Sequence, residues 1–303
     1  MTSVWLLPLF LLSGYLAQRF LSEESRVAWA DRLNRFVIYV SLPSLVFVYM
    51  IDITLDGRFL LPIASAWGLF ALSAMLILLL SRWLKWSRSL TGALLMTVPY
   101  GNTSFLGIPF TRAFFGEAGV PVAIVYDQLG SFLILSTAGI VTLSLYSDEQ
   151  ATLRRIVTRI VTFPAFIALV LALLSDPTWP PAGLMQILHL LAATLSPAAL
   201  LAIGLHLKLR LESGHKTPFA LGLLIKLVLA PLVLFILFRL LGLHTLTAQV
   251  SIFEAAMGPM ISSAMLAMMA GLEQRFVASL LGYGIVLSFA TLPIVFLGVA
   301  GVI

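Results

Sequence analysis

Stretches of about 20 mostly apolar residues recur along the whole chain, and they constrain the fold more than any other feature. A helix needs about 20 apolar residues to cross the hydrocarbon core of a bilayer. Only 10% of the residues are charged, against about 25% in soluble domains. The sequence therefore predicts an all-α integral membrane protein with ten transmembrane helices, at residues 4–20, 33–52, 59–81, 90–112, 118–145, 159–175, 183–207, 217–240, 247–270 and 276–301.

Basic residues between these runs predict the orientation of the chain. Cytoplasmic loops of membrane proteins carry an excess of Lys and Arg. The loops after the odd-numbered spans hold fourteen basic residues: Arg19, Arg26, Arg32, Arg35, Arg82, Lys85, Arg88, Arg154, Arg155, Arg159, Lys208, Arg210, Lys216 and Arg275. The opposite loops hold three, namely Arg58, Arg112 and Arg239. We therefore expect the odd-numbered loops in the cytoplasm and both termini outside.

Prolines recur in register between the two halves of the chain. The pairs Pro8/Pro164, Pro43/Pro197, Pro62/Pro218 and Pro99/Pro259 are separated by 156, 154, 156 and 160 positions. Four pairs in the same order suggest a duplication, and five spans per half would insert the second copy upside down. Inverted repeats are the plan of many secondary transporters. We predict a first repeat at 1–147, a cytoplasmic connector at 148–158 and a second repeat at 159–303.

Two predicted spans, the fourth and the ninth, contain residues that interrupt helices. The fourth carries "PYGNTSFLGIP" (99–109) and the ninth carries "EAAMGPMISSA" (254–264). Proline removes a backbone donor, and unsatisfied backbone groups persist in a membrane only where protein or water covers them. Helix N-termini that follow the breaks would favour an anion, whereas the alternative is a pair of ordinary proline kinks. The predicted substrate-binding residues are Pro99, Gly101, Asn102, Thr103, Ser104, Gly258, Pro259, Ser262 and Ser263.

Three ionisable residues fall inside predicted spans, where charged side chains are costly and often functional. Asp127 is predicted to accept a proton or a polar ligand, or else to be the buried partner of a cation such as Lys226. Lys226 would neutralise an anionic substrate, pair with a carboxylate or extend to the interface. Glu254 would carry a coupled proton or make a structural hydrogen bond or salt bridge. These three form the predicted charge and coupling group.

Five motifs resemble the auxin efflux carrier family, whose members include plant auxin exporters and bacterial carriers often labelled malonate transporters. They are "FVIYVSLPSLVF" (36–47), "PYGNTSFLGIP" (99–109), "LSPAALLAIGLHL" (195–207), "KLVLAPL" (226–232) and "AAMGPMISSAMLA" (255–267). The resemblance covers nearly the whole chain. It implies two inverted five-helix repeats, crossing helices four and nine that hold the substrate, elevator-like alternating access and a homodimer. Two departures are the lack of a long central loop, as in compact prokaryotic members, and Gly-Pro-Met in place of a double proline.

The expected function is secondary transport of a small organic anion, such as a carboxylate or an auxin-like acid, across a prokaryotic inner membrane. The membrane potential or a proton gradient would drive it. A sodium-coupled symporter of the bile-acid type is the alternative, and a membrane-embedded enzyme is a remote one. The chain has no nucleotide-binding Gly-Lys-Ser/Thr loop, His-Glu-x-x-His or Gly-x-Ser-x-Gly. It also has no cysteine, and we expect no cofactor, metal or nucleic acid, and contact with membrane lipid.

Overall fold

The computed structural model of the chain describes residues 6–54, 56–147, 153–207 and 215–300. Both termini, residues 148–152 of the predicted connector, and Lys208 and Arg210 lie outside the described residues. We number the helices α1 (Leu6–Ala17), α2 (Glu23–Met50), α3 (Gly57–Trp83), α4 (Arg88–Thr97), α5 (Ile108–Phe115), α6 (Glu117–Tyr146), α7 (Leu153–Val161), α8 (Pro164–Leu174), α9 (Ala182–His206), α10 (Lys216–Leu240), α11 (Leu246–Ala255), α12 (Ile261–Met269) and α13 (Gln274–Ala300).

The all-helical class is confirmed: the described residues contain no β-strand, only one isolated bridge between Gly101 and Pro259. In the described part of the chain, six helices are long and apolar enough to cross a membrane, namely α2, α3, α6, α9, α10 and α13. The chain is thus an integral membrane protein by its helices. Helices α1 and α8 are apolar but shorter, and the fourth and ninth predicted spans are divided into α4/α5 and α11/α12. The ten-span inverted repeat therefore stays a prediction.

Local sequence explains where several helices begin. Ser22, Ser87 and Thr245 precede α2, α4 and α11, and each side-chain oxygen accepts a hydrogen bond from the backbone N–H three residues later. Such N-caps satisfy donors that have no partner within the helix.

Prolines also explain three widened turns. Each of the π-helical segments Val37–Ser41, Thr103–Gly107 and Ile225–Leu229 ends two residues before a proline, at Pro43, Pro109 and Pro231 respectively. Proline cannot donate to the preceding turn, and its ring clashes with the carbonyl four residues earlier. A local π-turn accommodates both effects.

The chain divides into two compact units. The first unit comprises the described residues of Met1–Asp56, Ser104–Ile124 and Arg159–Leu207. Within it, α1 lies directly against α9, because a Cβ on Gly204 would meet backbone atoms of Leu11 and Tyr15. Gln18 Nε2 adds hydrogen bonds to the carbonyls of Gly204 and Leu207, at 2.7 and 3.0 Å. Small residues that let backbones approach are typical of helix contacts in membranes.

The second unit comprises the described residues of Gly57–Thr103, Val125–Thr158 and Lys208–Ile303. It contains α3, α4, most of α6 and all of α10 to α13. Each unit therefore includes residues from both predicted repeats. The compact units are defined by which residues pack together, whereas the predicted repeats at 1–147 and 159–303 are defined by duplication of the sequence. The predicted division into repeats therefore stays a prediction.

Candidate site at the two helix interruptions

The first interruption follows α4. This helix ends at Thr97, and residues 98–102 are not helical before the π-turn that starts at Thr103. Pro99 is half-buried, while Gly101, Asn102 and Thr103 are buried. The break leaves a short stretch of polar backbone inside the second unit. Its donors and acceptors need partners that its own helix does not supply.

The second interruption follows α11, which ends at Ala255, and α12 begins at Ile261. Residues Met257, Gly258, Pro259 and Met260 between them are buried. Pro259 has no N–H to donate, which removes one of the donors that this segment would have to satisfy. The other backbone N–H and C=O groups of this interruption need hydrogen-bond partners from outside their own helices, as at the first interruption.

The two interruptions satisfy each other. Asn102 N–H donates to the Gly258 carbonyl at 2.8 Å, and Met260 N–H donates to the Tyr100 carbonyl at 3.1 Å. Gly101 and Pro259 lie opposite each other between these two bonds, as an isolated antiparallel bridge. Buried backbone groups without a partner cost free energy comparable to a lost hydrogen bond. Pairing the breaks with each other removes part of that cost.

Glycines let the second interruption lie close to α13 and leave room for Lys226 beside the first. A Cβ on Gly258 would lie 2.9 Å from the Gly284 carbonyl oxygen in α13, and a Cβ on Gly284 would meet the Pro259 ring. A Cβ on Gly101 would lie 3.1 Å from Lys226 Nζ. Side chains at Gly258 or Gly284 would push the second interruption away from α13, whereas one at Gly101 would displace the end of the Lys226 side chain.

Asp127 lies in a π-helical part of α6, Tyr126–Phe132, and is only 1% exposed. Its carboxylate accepts hydrogen bonds from Thr103 Oγ1 at 2.5 Å and from Gln128 Nε2 at 2.7 Å. Thr103 directly follows Asn102, so this carboxylate is tied to the first interruption. The structure thus brings the predicted residues Thr103 and Asp127 together. The predicted pairing of Asp127 with Lys226 stays a prediction.

Lys226 and Glu254 are the other two members of the predicted charge and coupling group. Lys226 is buried in the π-turn of α10, and its Nζ donates to the carbonyl of Ala255 at 3.3 Å. The carboxylate of Glu254, which is fully buried, acts electrostatically on this ammonium. A buried charge requires such compensation. Lys226 therefore does not extend to the interface, which was one of the alternatives for it.

A small cavity adjoins the first interruption. Its wall includes Lys226, Tyr100 and Gly101. The other lining residues are Ala66, Leu69, Ser73, Pro99, Tyr126, Ser131, Ile134 and Ala230. One ammonium group and several hydroxyl groups thus line this small space together with apolar side chains. In this conformation the cavity has room for about one water molecule.

The predicted serines lie in different environments. Ser263 is buried, and its Oγ donates to the Met260 carbonyl at 3.1 Å. Ser262 is exposed, because adjacent residues of α12 face different directions. Ser104 is half-buried and belongs to the first unit.

Two buried amide groups keep hydrogen-bonding capacity at these segments. Among the described residues, the Asn102 Nδ2 donor and the Gln128 Oε1 acceptor have no hydrogen-bond partner. Gln128, Tyr100 and Ser73 were absent from the predicted site. Gln128 could have been predicted from the sequence, because it is a polar residue next to Asp127 in an apolar run. Tyr100 and Ser73 have no comparable feature in the sequence. Among the described residues, no group of three His, Asp or Glu side chains could hold a metal ion.

Comparison with known proteins assigns the chain to a family. The sequence profile of the family described as "Membrane transport protein" matches residues 1–296. The chain belongs to this family. The resemblance to the auxin efflux carrier family is thereby confirmed, and this membrane transport protein is a transporter by family.

Similar curated proteins are also named as transporters. An "Uncharacterized transporter" of Methanothermobacter thermautotrophicus is 29% identical over 270 residues, which cover 88% of this chain and 87% of the relative. An uncharacterized transporter of Methanocaldococcus jannaschii is 23% identical, with 92% of each chain covered. A protein of Rhizobium meliloti named "Putative malonate transporter" is 26% identical, with 78% of this chain and 77% of the relative covered. These names indicate transport and not catalysis for this membrane transport protein.

Proposed function

We propose that this membrane transport protein is a secondary carrier of small organic anions, with its substrate site at the paired interruptions. The observation that carries the proposal is the pair of backbone hydrogen bonds that join Asn102 to Gly258 and Met260 to Tyr100. Broken helices that meet inside the protein are the usual site-forming elements of secondary transporters. An enzyme has no comparable support in the described residues.

Three features around the interruptions favour an anion. Helix α12 begins directly after the second break without a side-chain cap, so its first N–H groups form a positive helix end. The Asn102 amide offers a buried donor that is not used by the protein. The Lys226 ammonium on the cavity wall adds a positive charge.

Within this class we propose a carboxylate, with malonate as the first compound to test and auxin-like acids as the second. The similarity to the Rhizobium meliloti protein, which is named for malonate, supports this choice. Asn102 and Thr103 would supply hydrogen bonds to the carboxylate. Ser262 and Ser263 would contribute the backbone N–H groups at the start of α12.

For the mechanism we propose ten spans in two inverted repeats, both termini outside the prokaryotic inner membrane, elevator-like alternating access and a homodimer. The second unit, which carries both interruptions, would be the moving part. The membrane potential acting on the substrate charge, or a proton carried by Asp127 or Glu254, would provide the energy. Sodium coupling of the bile-acid type is the competing proposal.

Malonate-induced thermal stabilisation of the purified protein tests the site, because a ligand that binds only the folded state raises the melting temperature. We expect malonate to stabilise the wild type and Asn102→Ala to abolish the response. The matched control is Asn34→Ala, which changes a buried asparagine of the first unit. Equal malonate responses in Asn102→Ala and Asn34→Ala would remove Asn102 from the site. If neither malonate nor auxin-like acids bind or are taken up by proteoliposomes, the proposed substrate class is wrong.

A further inference from the structure

The connection between α3 and α4 carries three basic residues within seven positions. Arg82 lies in the last turn of α3, Lys85 lies in the connection itself, and Arg88 begins α4. Residues 57–116 contain no Asp or Glu. Among the described residues, no carboxylate forms an ion pair with any of these three side chains. Their positive charge therefore remains available to an anion from outside the protein.

Lys85 has a left-handed backbone conformation, with a φ of 54°. It stands where α3 ends: Trp86 N–H donates to the Ser81 carbonyl at 3.0 Å, and Leu84 N–H donates to the Leu80 carbonyl at 2.8 Å. Glycine is the usual residue at the left-handed position of such a helix end, because a side chain there is strained. A lysine in this strained position therefore indicates a role for its side chain beyond the helix end.

Two tryptophans accompany the basic residues. Trp83 is 80% exposed, and Trp86 is partly exposed. Tryptophan is enriched where the bilayer meets water, because its ring is apolar and its N–H is polar. The connection follows α3, which is long and apolar enough to cross a membrane, on the side predicted to be cytoplasmic. The cytoplasmic leaflet has a negative surface potential, which attracts basic segments next to a membrane helix.

Two contacts hold this connection in place. Ser81 Oγ and Thr91 Oγ1 share a hydrogen bond of 2.5 Å, which joins the end of α3 to α4. The Arg88 guanidinium donates to the carbonyl of Leu145, near the end of α6. The basic residues are therefore presented by a segment that is tied to three helices.

We propose that Arg82, Lys85 and Arg88 form a binding surface for the phosphate group of an anionic phospholipid in the cytoplasmic leaflet, with Trp83 beside the lipid chains. Lys and Arg side chains bind phosphate through charge-assisted hydrogen bonds. Helix α4 runs from this surface to the first interruption, so a bound headgroup holds the start of the helix that leads to the proposed substrate site. The inference goes beyond the proposed function and does not depend on which solute is carried.

The test measures thermal unfolding in nanodiscs of phosphatidylcholine alone or of equal parts phosphatidylcholine and phosphatidylglycerol. We expect phosphatidylglycerol to raise the melting temperature of the wild type, because a ligand of the folded state stabilises it. Lys85→Gly should lose about a third or more of this rise, because it removes one of three similar charges. In phosphatidylcholine its melting temperature should not fall, because glycine adopts the left-handed conformation without strain. Arg82→Gln combined with Lys85→Gly should lose most of the rise.

The matched control is Arg239→Gln, which removes an exposed basic residue at the end of α10 in the same unit. This variant should keep the full response to phosphatidylglycerol. Equal losses in Lys85→Gly and Arg239→Gln would overturn the proposal, because they would show a general attraction between a basic protein and an anionic bilayer.

Three other outcomes would also contradict the proposal. The first is a wild type that phosphatidylglycerol does not stabilise. The second is a lower melting temperature of Lys85→Gly in phosphatidylcholine, which would give the lysine a structural role. The third is equal stabilisation by soluble glycerol phosphate in phosphatidylcholine nanodiscs, because the surface would then bind free phosphate groups. None of these measurements uses a carboxylate substrate, so a failure of malonate binding would leave their results unchanged.

Discussion

The hydrogen bond from Thr103 to Asp127 allows a quantitative test of how the first interruption is held in place. Valine has nearly the same shape as threonine, so Thr103→Val removes the Oγ1 donor 2.5 Å from Asp127 Oδ1 without opening a cavity. Hydrogen bonds to charged groups contribute about 1.5–3 kcal/mol. At about 2 °C per kcal/mol for a chain of this size, we expect the melting temperature to fall by about 3–6 °C.

A matched threonine isolates this effect. Thr97 is as buried as Thr103, but its hydroxyl donates only to the Ala93 and Leu94 carbonyls of its own helix. Such back-bonds within a helix are slightly destabilising, so Thr97→Val should melt close to the wild type. Unfolding followed by tryptophan fluorescence in detergent would measure both variants. Equal melting temperatures for Thr103→Val and Thr97→Val would refute the assigned role of the Thr103–Asp127 bond.

A double-mutant cycle that combines Thr103→Val with Asp127→Asn tests whether Asp127 is the partner of the Thr103 hydroxyl. Residues in direct contact couple by about 0.5–3 kcal/mol, whereas independent sites are additive. We expect the double variant Thr103→Val/Asp127→Asn to be less destabilised than the sum of the two single variants. Strict additivity would mean that the two side chains do not interact in the folded protein.

Two glycine contacts give further predictions. Gly284→Ala places a methyl group against the Pro259 ring, 2.7 Å from its Cγ, and should lower the melting temperature by the equivalent of about 1–3 kcal/mol; Gly298→Ala in the same helix, which meets nothing within 4 Å, should not lower it. Gly204→Ala meets Tyr15 N at 2.8 Å and should destabilise the protein similarly, as judged by melting and by monodispersity in gel filtration. Its control is Gly183→Ala in the same helix, with nothing within 4 Å; a harmless Gly204→Ala would contradict the close packing of α1 on α9.

Much of the candidate site followed from local sequence. The motif around Pro99 and the motif around Pro259 interrupt apolar runs, and the structure has non-helical segments at both. The π-turns before Pro43, Pro109 and Pro231 were not predicted, although the missing proline donor was visible in the sequence. Such features depend on the chemistry of a few consecutive residues, and the sequence contains that chemistry in full.

Partners across long sequence separations were not predictable in the same way. The sequence marked Lys226 and Glu254 as buried charges and suggested Asp127 as a partner for the lysine. In the structure, Lys226 donates to the Ala255 carbonyl and is acted on by the charge of Glu254, and Asp127 accepts from Thr103 and Gln128. The pairing of Asp127 with Lys226 stays a prediction. Hydropathy identifies a costly charge, but the packing of α10 against α11 decides which group compensates it.

By itself, the sequence determined that the chain is helical, membrane-integral and twice interrupted, because apolar run length and proline chemistry act locally. Only the tertiary structure decided that Asn102 bonds to Gly258 and Met260 to Tyr100, about 160 positions along the chain. It also decided that Ser263 faces inward while Ser262 faces outward. The physical reason is that an interrupted helix requires some partner for its backbone groups, but the approach of other helices determines which partner is within hydrogen-bonding distance.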